Sequence, residues 1–205
     1  MKQYNNENGR KNMRLRGYDY SREGLYFLTI VVQHRLHLYG EIENGEMILN
    51  DAGRMVEKWY WEIENKYPDK RCDEMVVMPN HFHCIIENLE MDAIKTDAHV
   101  PLTITNDERG RADTNEKYGM HNIKYGATIG DVMDWFKTMT TNEYIRGVAS
   151  AALCGRPNDW PRFEGKLWQR SYYDHIIRNE QEYLRISEYI KNNPLKWNDD
   201  KFYNN

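Results

Sequence analysis

Residues 75–88 read MVVMPNHFHCIIEN. Two apolar runs flank Pro79-Asn80, a pair that favours a turn. EMVVM (74–78) and HFHCIIE (81–87) are therefore expected to form two strands around that turn. In the second run His81 and His83 sit either side of Phe82. Side chains at i and i+2 share one face of a strand, with Cβ atoms about 7 Å apart at a rise of ~3.3 Å per residue. Phe82 then points into a core while the two imidazoles share the opposite face, close enough to converge on one metal ion. A solvated sheet face would produce the same spacing, so the pair alone does not establish a metal site.

Upstream, GLYFLTIVVQ (24–33) is rich in β-branched and aromatic residues and predicts a central strand. HLYGEIENGEMILN (37–50) predicts a hairpin turning at Asn44-Gly45. In residues 50–67 Met55, Val56, Trp59, Tyr60 and Ile63 follow a helical period, with Asn50 or Asp51 as cap and Pro68 just beyond the end. Residues 89–127 are polar and weakly periodic, which reads as a long surface insertion. Residues 127–148 return to helix, with Ile129, Val132, Trp135, Phe136 and Met139 on one side. Residues 149–166 read as loop and LWQRSYYDHIIR (167–178) as strand. Asn179 and Glu182 have capping-box spacing for a helix running to about Asn193, stopped by Pro194. Hairpin-joined strands with a few helices predict an α+β fold: an antiparallel sheet with helices packed on one face. One domain is expected over 14–197, between a disordered polar tail (1–13) and a second tail (198–205).

The chain has 205 residues, 40% of them hydrophobic, with mean hydropathy -0.90. No run approaches the ~18 apolar residues of a spanning helix, and residues 1–17 lack the apolar segment of a secretory signal. Three scattered cysteines without CxxC spacing exclude a zinc finger and fit a reducing cytosol. Net charge is -4, but residues 9–22 hold five basic groups against one acid. A basic arm on an acidic body is compatible with nucleic-acid binding through one face.

A metal held by the histidine pair needs a further ligand. In EQEYLRISEYIKNNP (180–194), Tyr189 and Asn193 are four apart and share a helical face, while Ile186 and Ile190 supply the buried one. An Asn carbonyl suits Mg²⁺ or Mn²⁺. A tyrosine beside a cation can serve as a nucleophile. Composition leaves Tyr172, Tyr173 and Tyr183 as rivals to Tyr189 for that role.

The blocks MPNHFH (78–83), WQRSYYDHIIR (168–178) and EYIKNNP (188–194), with RLRGYDYSR (14–22) ahead of them, resemble the REP-associated tyrosine transposases of the HUH single-tyrosine superfamily. The resemblance covers roughly 14–197 apart from the 89–127 insertion. It implies a ferredoxin-like, RRM-like sheet that acts on single-stranded or hairpin DNA. It also implies a Mg²⁺ or Mn²⁺ ion on His81, His83 and Asn193, with Tyr189 as nucleophile and Asp174 and His175 in support. It places such a protein in the bacterial cytosol, at the nucleoid, and leaves monomer and homodimer both open.

Arg14, Arg16, Lys137, Arg170 and Arg178 are candidate phosphate contacts. Tyr18, Tyr20, Trp168, Tyr172 and Tyr173 are candidate stacking platforms for unpaired bases. Other readings stay open: a catalytically silent, sequence-specific DNA-binding protein of the same fold, and a metal hydrolase using water in place of tyrosine.

Overall fold

The structure, a computed structural model, describes residues 17–90, 123–154 and 160–203. Arg14, Arg16, the 1–13 tail and most of the 89–127 insertion lie outside the described residues. No described helix is long and apolar enough to cross a membrane.

The strand that carries the histidines is central. β1 (Gly24–Val31), β4 (Lys70–Met78), β5 (His81–Asn88) and β6 (Tyr173–Ile177) form one sheet in the order β4-β5-β1-β6. Every pairing in it is antiparallel. β2 (Gly40–Glu43) and β3 (Glu46–Leu49) form a separate hairpin. Its turn residues Asn44 and Gly45 have φ of 53° and 81°, the left-handed pair that a tight right-twisted hairpin requires.

α1 (Asp51–Lys66) starts where Asn50 accepts a hydrogen bond from the Gly53 amide at 2.9 Å. The Asn50 carboxamide also donates to the Leu38 carbonyl at 3.0 Å, tying the helix start to the preceding loop. Asn50→Ala is expected to cost about 1–2 kcal/mol, the usual worth of a cap. The check is a lower urea midpoint with an unchanged slope.

α2 (Ile129–Cys154) opens on a box the sequence reading passed over. Asp131 accepts from the Thr128 amide (3.0 Å) and hydroxyl (2.9 Å), and Thr128 Oγ1 accepts from the Asp131 amide (3.1 Å). The helix also runs past 148 into the expected loop, because Ala149, Ala151, Ala152 and Leu153 are strong helix formers. β4 begins at Lys70, before the expected Glu74, by accommodating a bulge between Cys72 and Met75. The Tyr60 hydroxyl holds that bulge, accepting from the Asp73 amide at 2.9 Å and donating to the Ile85 carbonyl at 2.5 Å. The expected 167–178 strand is shorter than read, with only a bridge from Trp168 to Val32 before β6. Trp168 turns inward instead and donates to Thr140 Oγ1 at 2.9 Å.

Both faces of the sheet are covered. Tyr26, Leu28, Ile30, Phe82, Cys84 and Ile86 pack beneath α1 and α2 in the main core. Phe82 stacks on Phe136 with centroids 5.4 Å apart, so it does point away from the histidines. Phe27, Ile85 and Ile177 line the opposite face, where Ile186 and Ile190 of α3 (Glu180–Lys191) close a smaller core. The expectation of helices on one face therefore holds for α1 and α2 and not for α3. Central strands that are apolar on both sides need both sides covered.

Candidate metal and nucleophile site

The antiparallel register sets His83 opposite Thr29 and His81 opposite Val31. The imidazole centroids are 4.6 Å apart, and the residues are 0% and 1% exposed. A solvated sheet face is thereby excluded. His83 Nδ1 is hydrogen-bonded to Thr29 Oγ1 at 2.8 Å. His81 Nδ1 meets Asn80 Oδ1 at 2.9 Å. The Asn80 amide donates to the carbonyls of Phe202 (2.8 Å) and Arg35 (3.3 Å), which fixes which end is the oxygen. Asn80 Oδ1 can only accept, so His81 carries its proton on Nδ1 and its Nε2 lone pair is free. That Nε2 is buried and has no hydrogen-bond partner.

Burial keeps both rings neutral. His81 is pushed down to about 3, chiefly by loss of solvent, against a raising influence from Asn193. His83 lies well below its ordinary value for the same first reason, with His81 and the Lys201 charge adding to it. The unfolded chain protonates near 6.5 and the fold does not. The contribution to stability is therefore complete above pH 6.5 and is lost as pH falls toward 3. With metal chelated, unfolding free energy is expected to fall as pH drops from 6.5 to 5, the slope from His81 approaching about 1.4 kcal/mol per pH unit at the lower end and His83 acting in the same direction. Urea melts across that range check it, and His81→Gln should make the slope shallower.

α3 delivers the rest of the site. Its cap, Asn179, accepts from the Glu182 amide at 2.9 Å, as the capping spacing predicts. With Ile186 and Ile190 anchored in the small core, Tyr189 stands at the rim, 39% exposed. Its ring packs edge-on to Phe27 and His83, with centroids at 6.0 and 5.2 Å. Its hydroxyl is 3.2 Å from His83 Nε2. Burial, followed by the nearby Asp200 carboxylate, raises the phenol above its usual value, while Asn193 acts in the opposite direction. Asn193 is buried just past the helix end, and its Oδ1 also lacks a hydrogen-bond partner. Orphaned buried acceptors are rare and call for an explanation. Two of them beside His83 Nε2, in a nitrogen and oxygen donor set, fit a divalent cation.

A cleft of about 500 Å³ opens over His83 and Tyr189, lined also by Thr29, Tyr173, His175, Arg185, Lys196 and Lys201. His175 and Asp174 are neighbours on β6 and so face opposite ways. His175 enters the cleft and binds Glu182 at 2.8 Å, while Asp174 is buried with an unpartnered Oδ1. Of the expected phosphate contacts, Lys137 donates to the carbonyls of Gln169 (3.0 Å) and Arg170 (3.2 Å). Arg170 and Arg178 are exposed, and neither lines this cleft. Trp168 and Tyr172 belong to the main core. Tyr18 and Tyr20 pack on that core from its edge, and Tyr173 faces the cleft.

The sequence reading missed Arg185, Lys196, Asp200 and Lys201. Arg185 lies one helical turn before Tyr189 and was open to the same spacing argument. The other three follow Pro194, where no periodicity marks a face. Asp200 matters most: its carboxylate oxygen and one nitrogen from each of His81 and His83 lie within 4.8 Å of one another.

Fold and site together define an α+β protein with a buried histidine pair and a tyrosine presented beside it. The chain is 36% identical over 197 residues to an uncharacterized protein of Haemophilus influenzae, covering 95% of this chain and 93% of that one, and it belongs to that protein's family. No family model matches the chain. Two solved structures are similar over most of its length. One is a REP-associated tyrosine transposase bound to a REP hairpin, at 19% identity and TM-score 0.48, covering 90% of this chain and 73% of that one. The other is a candidate transposase from Deinococcus radiodurans, at 16% identity and TM-score 0.41, covering 87% of this chain and 95% of that one.

Proposed function

We propose that the protein is a metal-dependent tyrosine transposase of the HUH single-tyrosine superfamily that cleaves and rejoins single-stranded or hairpin DNA. One observation carries the reading. The Tyr189 hydroxyl reaches within 3.2 Å of His83 Nε2, while His81 Nε2 and Asn193 Oδ1 stand unpartnered beside it. Four residues from two separated blocks of the resembling sequence thus meet at one point. The sheet order β4-β5-β1-β6, with crossovers through α1 and α2, is consistent with the expected ferredoxin-like topology.

His81, His83 and Asn193 would hold the cation. When bound, it supplies Lewis-acid polarisation of a phosphate oxygen and charge neutralisation at the scissile group. Asn80 holds His81 in the tautomer whose Nε2 can ligate, and Thr29 orients the His83 ring through Nδ1. Tyr189 attacks phosphorus through its phenol oxygen. The P–O bond to the 3′ oxygen breaks, leaving a 5′-phosphotyrosine and a free 3′-hydroxyl. Because the phosphodiester survives as a phosphotyrosine ester, a second 3′-hydroxyl can displace the tyrosine without ATP. Arg185, Lys196 and Lys201 ring the cleft and are placed to offset phosphate charge.

The test uses purified protein, Mn²⁺ or Mg²⁺, and single-stranded oligonucleotides from the flanks of its own gene, run on a denaturing gel. A protein–DNA adduct that survives SDS and disappears with EDTA is expected. Cleavage without an adduct would point to a hydrolase using water. Binding without cleavage, across a fair range of flanking strands, would favour the catalytically silent DNA-binding protein.

A further inference from the structure

We infer that the segment following α3 is part of the metal centre, and that Asp200 supplies a carboxylate ligand alongside His81, His83 and Asn193. The inference rests on the metal-centre reading above and extends it to a residue outside the motif blocks.

Three observations converge on Asp200. Its carboxylate oxygen lies within 4.8 Å of the imidazole nitrogens, and the imidazoles lie within the same distance of each other. Its other surroundings hold it in place: Asp200 Oδ1 accepts from the Phe202 amide at 2.6 Å, and the Asp200 amide donates to the Trp197 carbonyl at 3.0 Å. The segment is also fastened to the histidine strand. Asn80 binds His81 Nδ1 with its oxygen and the Phe202 carbonyl with its nitrogen, and the Phe202 ring packs 4.7 Å from that of His81. One carboxamide therefore couples the tautomer of a ligand to the position of the Asp200 turn.

The chemistry favours the assignment. Two neutral imidazoles and an amide oxygen leave the full charge of a dication in a buried site, which is costly. A carboxylate halves that charge. It also adds a hard oxygen donor of the kind that suits Mg²⁺ and Mn²⁺. Lys201 is next in sequence; its ammonium lies over the rings of Tyr173 (5.7 Å) and Phe202 (4.7 Å), and its positive charge acts on both imidazoles, which a carboxylate at the site offsets.

The test is calorimetric titration of Mn²⁺ into metal-stripped full-length protein, compared with Asp200→Asn, Asp200→Ala and His83→Ala. Asn retains the oxygen that accepts from the Phe202 amide, so Asp200→Asn should melt like the parent in EDTA. It is expected to lose Mn²⁺ affinity by at least the roughly 10- to 100-fold that loss of a mere supporting partner costs. Asp200→Ala should lose as much or more. Parent-like affinity in Asp200→Asn, with binding abolished in His83→Ala, would overturn the role of Asp200 and leave the metal centre standing. Weakening in Asp200→Ala alone would make Asp200 a turn residue and equally overturn its ligand role. Failure of the parent protein to bind Mn²⁺ would overturn both readings.

Discussion

Tyr189→Phe is expected to abolish the SDS-resistant DNA adduct and to lower metal-dependent strand cleavage by at least about three orders of magnitude, a conservative figure for the loss of a catalytic nucleophile. Two features make the substitution clean. The residue is 39% exposed, so little core is disturbed. The edge-on contacts to Phe27 and His83 involve the ring, which phenylalanine keeps. The lost hydroxyl leaves His83 Nε2 without its 3.2 Å partner, but that atom is the one proposed to ligate. Mn²⁺ affinity and melting temperature should therefore stay close to those of the parent while chemistry is lost. Retained adduct would move the nucleophile elsewhere. Tyr173, which lines the same cleft, is the first alternative. Tyr172 is buried in the main core, and Tyr183 lines a different cleft.

The second large effect concerns the residue between the histidines. Phe82 is fully buried, stacks on Phe136 at 5.4 Å and meets the Tyr60 ring at 5.5 Å. Phe82→Ala should cost about 3–5 kcal/mol, from lost transfer energy and the cavity left between β5 and α2. Domains of this size commonly hold only 5–15 kcal/mol in total, so a large part of the reserve goes with one side chain. Because β5 carries both imidazoles, a strand that loosens here should also weaken Mn²⁺ binding. Phe82→Leu, which fills more of the space, should recover much of both. Denaturant melts and metal titration on the pair of variants check this. Equal stability of Phe82→Ala and the parent would show that the core beneath the histidines does not hold them.

Adding Phe82→Ala to Tyr189→Phe separates the two roles. The residues are on opposite faces of the sheet and pack against different rings, Phe82 on Tyr60 and Phe136 and Tyr189 on Phe27 and His83, so the stability costs should add to within about 0.5 kcal/mol. A larger coupling would mean that α3 senses the main core through β5.

The sequence by itself determined the strand pair around Pro79-Asn80, the opposition of Phe82 to His81 and His83, the capped helices α1 and α3, and the four-residue spacing of Tyr189 and Asn193. Each is a local consequence of period, cap or turn chemistry, readable within a dozen residues. Only the tertiary structure decided what those residues meet. That His83 sits opposite Thr29 is a matter of register between strands more than fifty residues apart. That α3 covers the far face of the sheet follows from Phe27 and Ile85, which leave an apolar patch no single strand discloses. Lys137 is a candidate phosphate contact by sequence, and only the fold shows its ammonium donating to two backbone carbonyls. Asp200 and Lys201 reach the site through a turn after Pro194 that has no repeating pattern. A side chain brought in by such a turn leaves no signal in sequence, because its position depends on the surfaces it packs against and not on its neighbours along the chain.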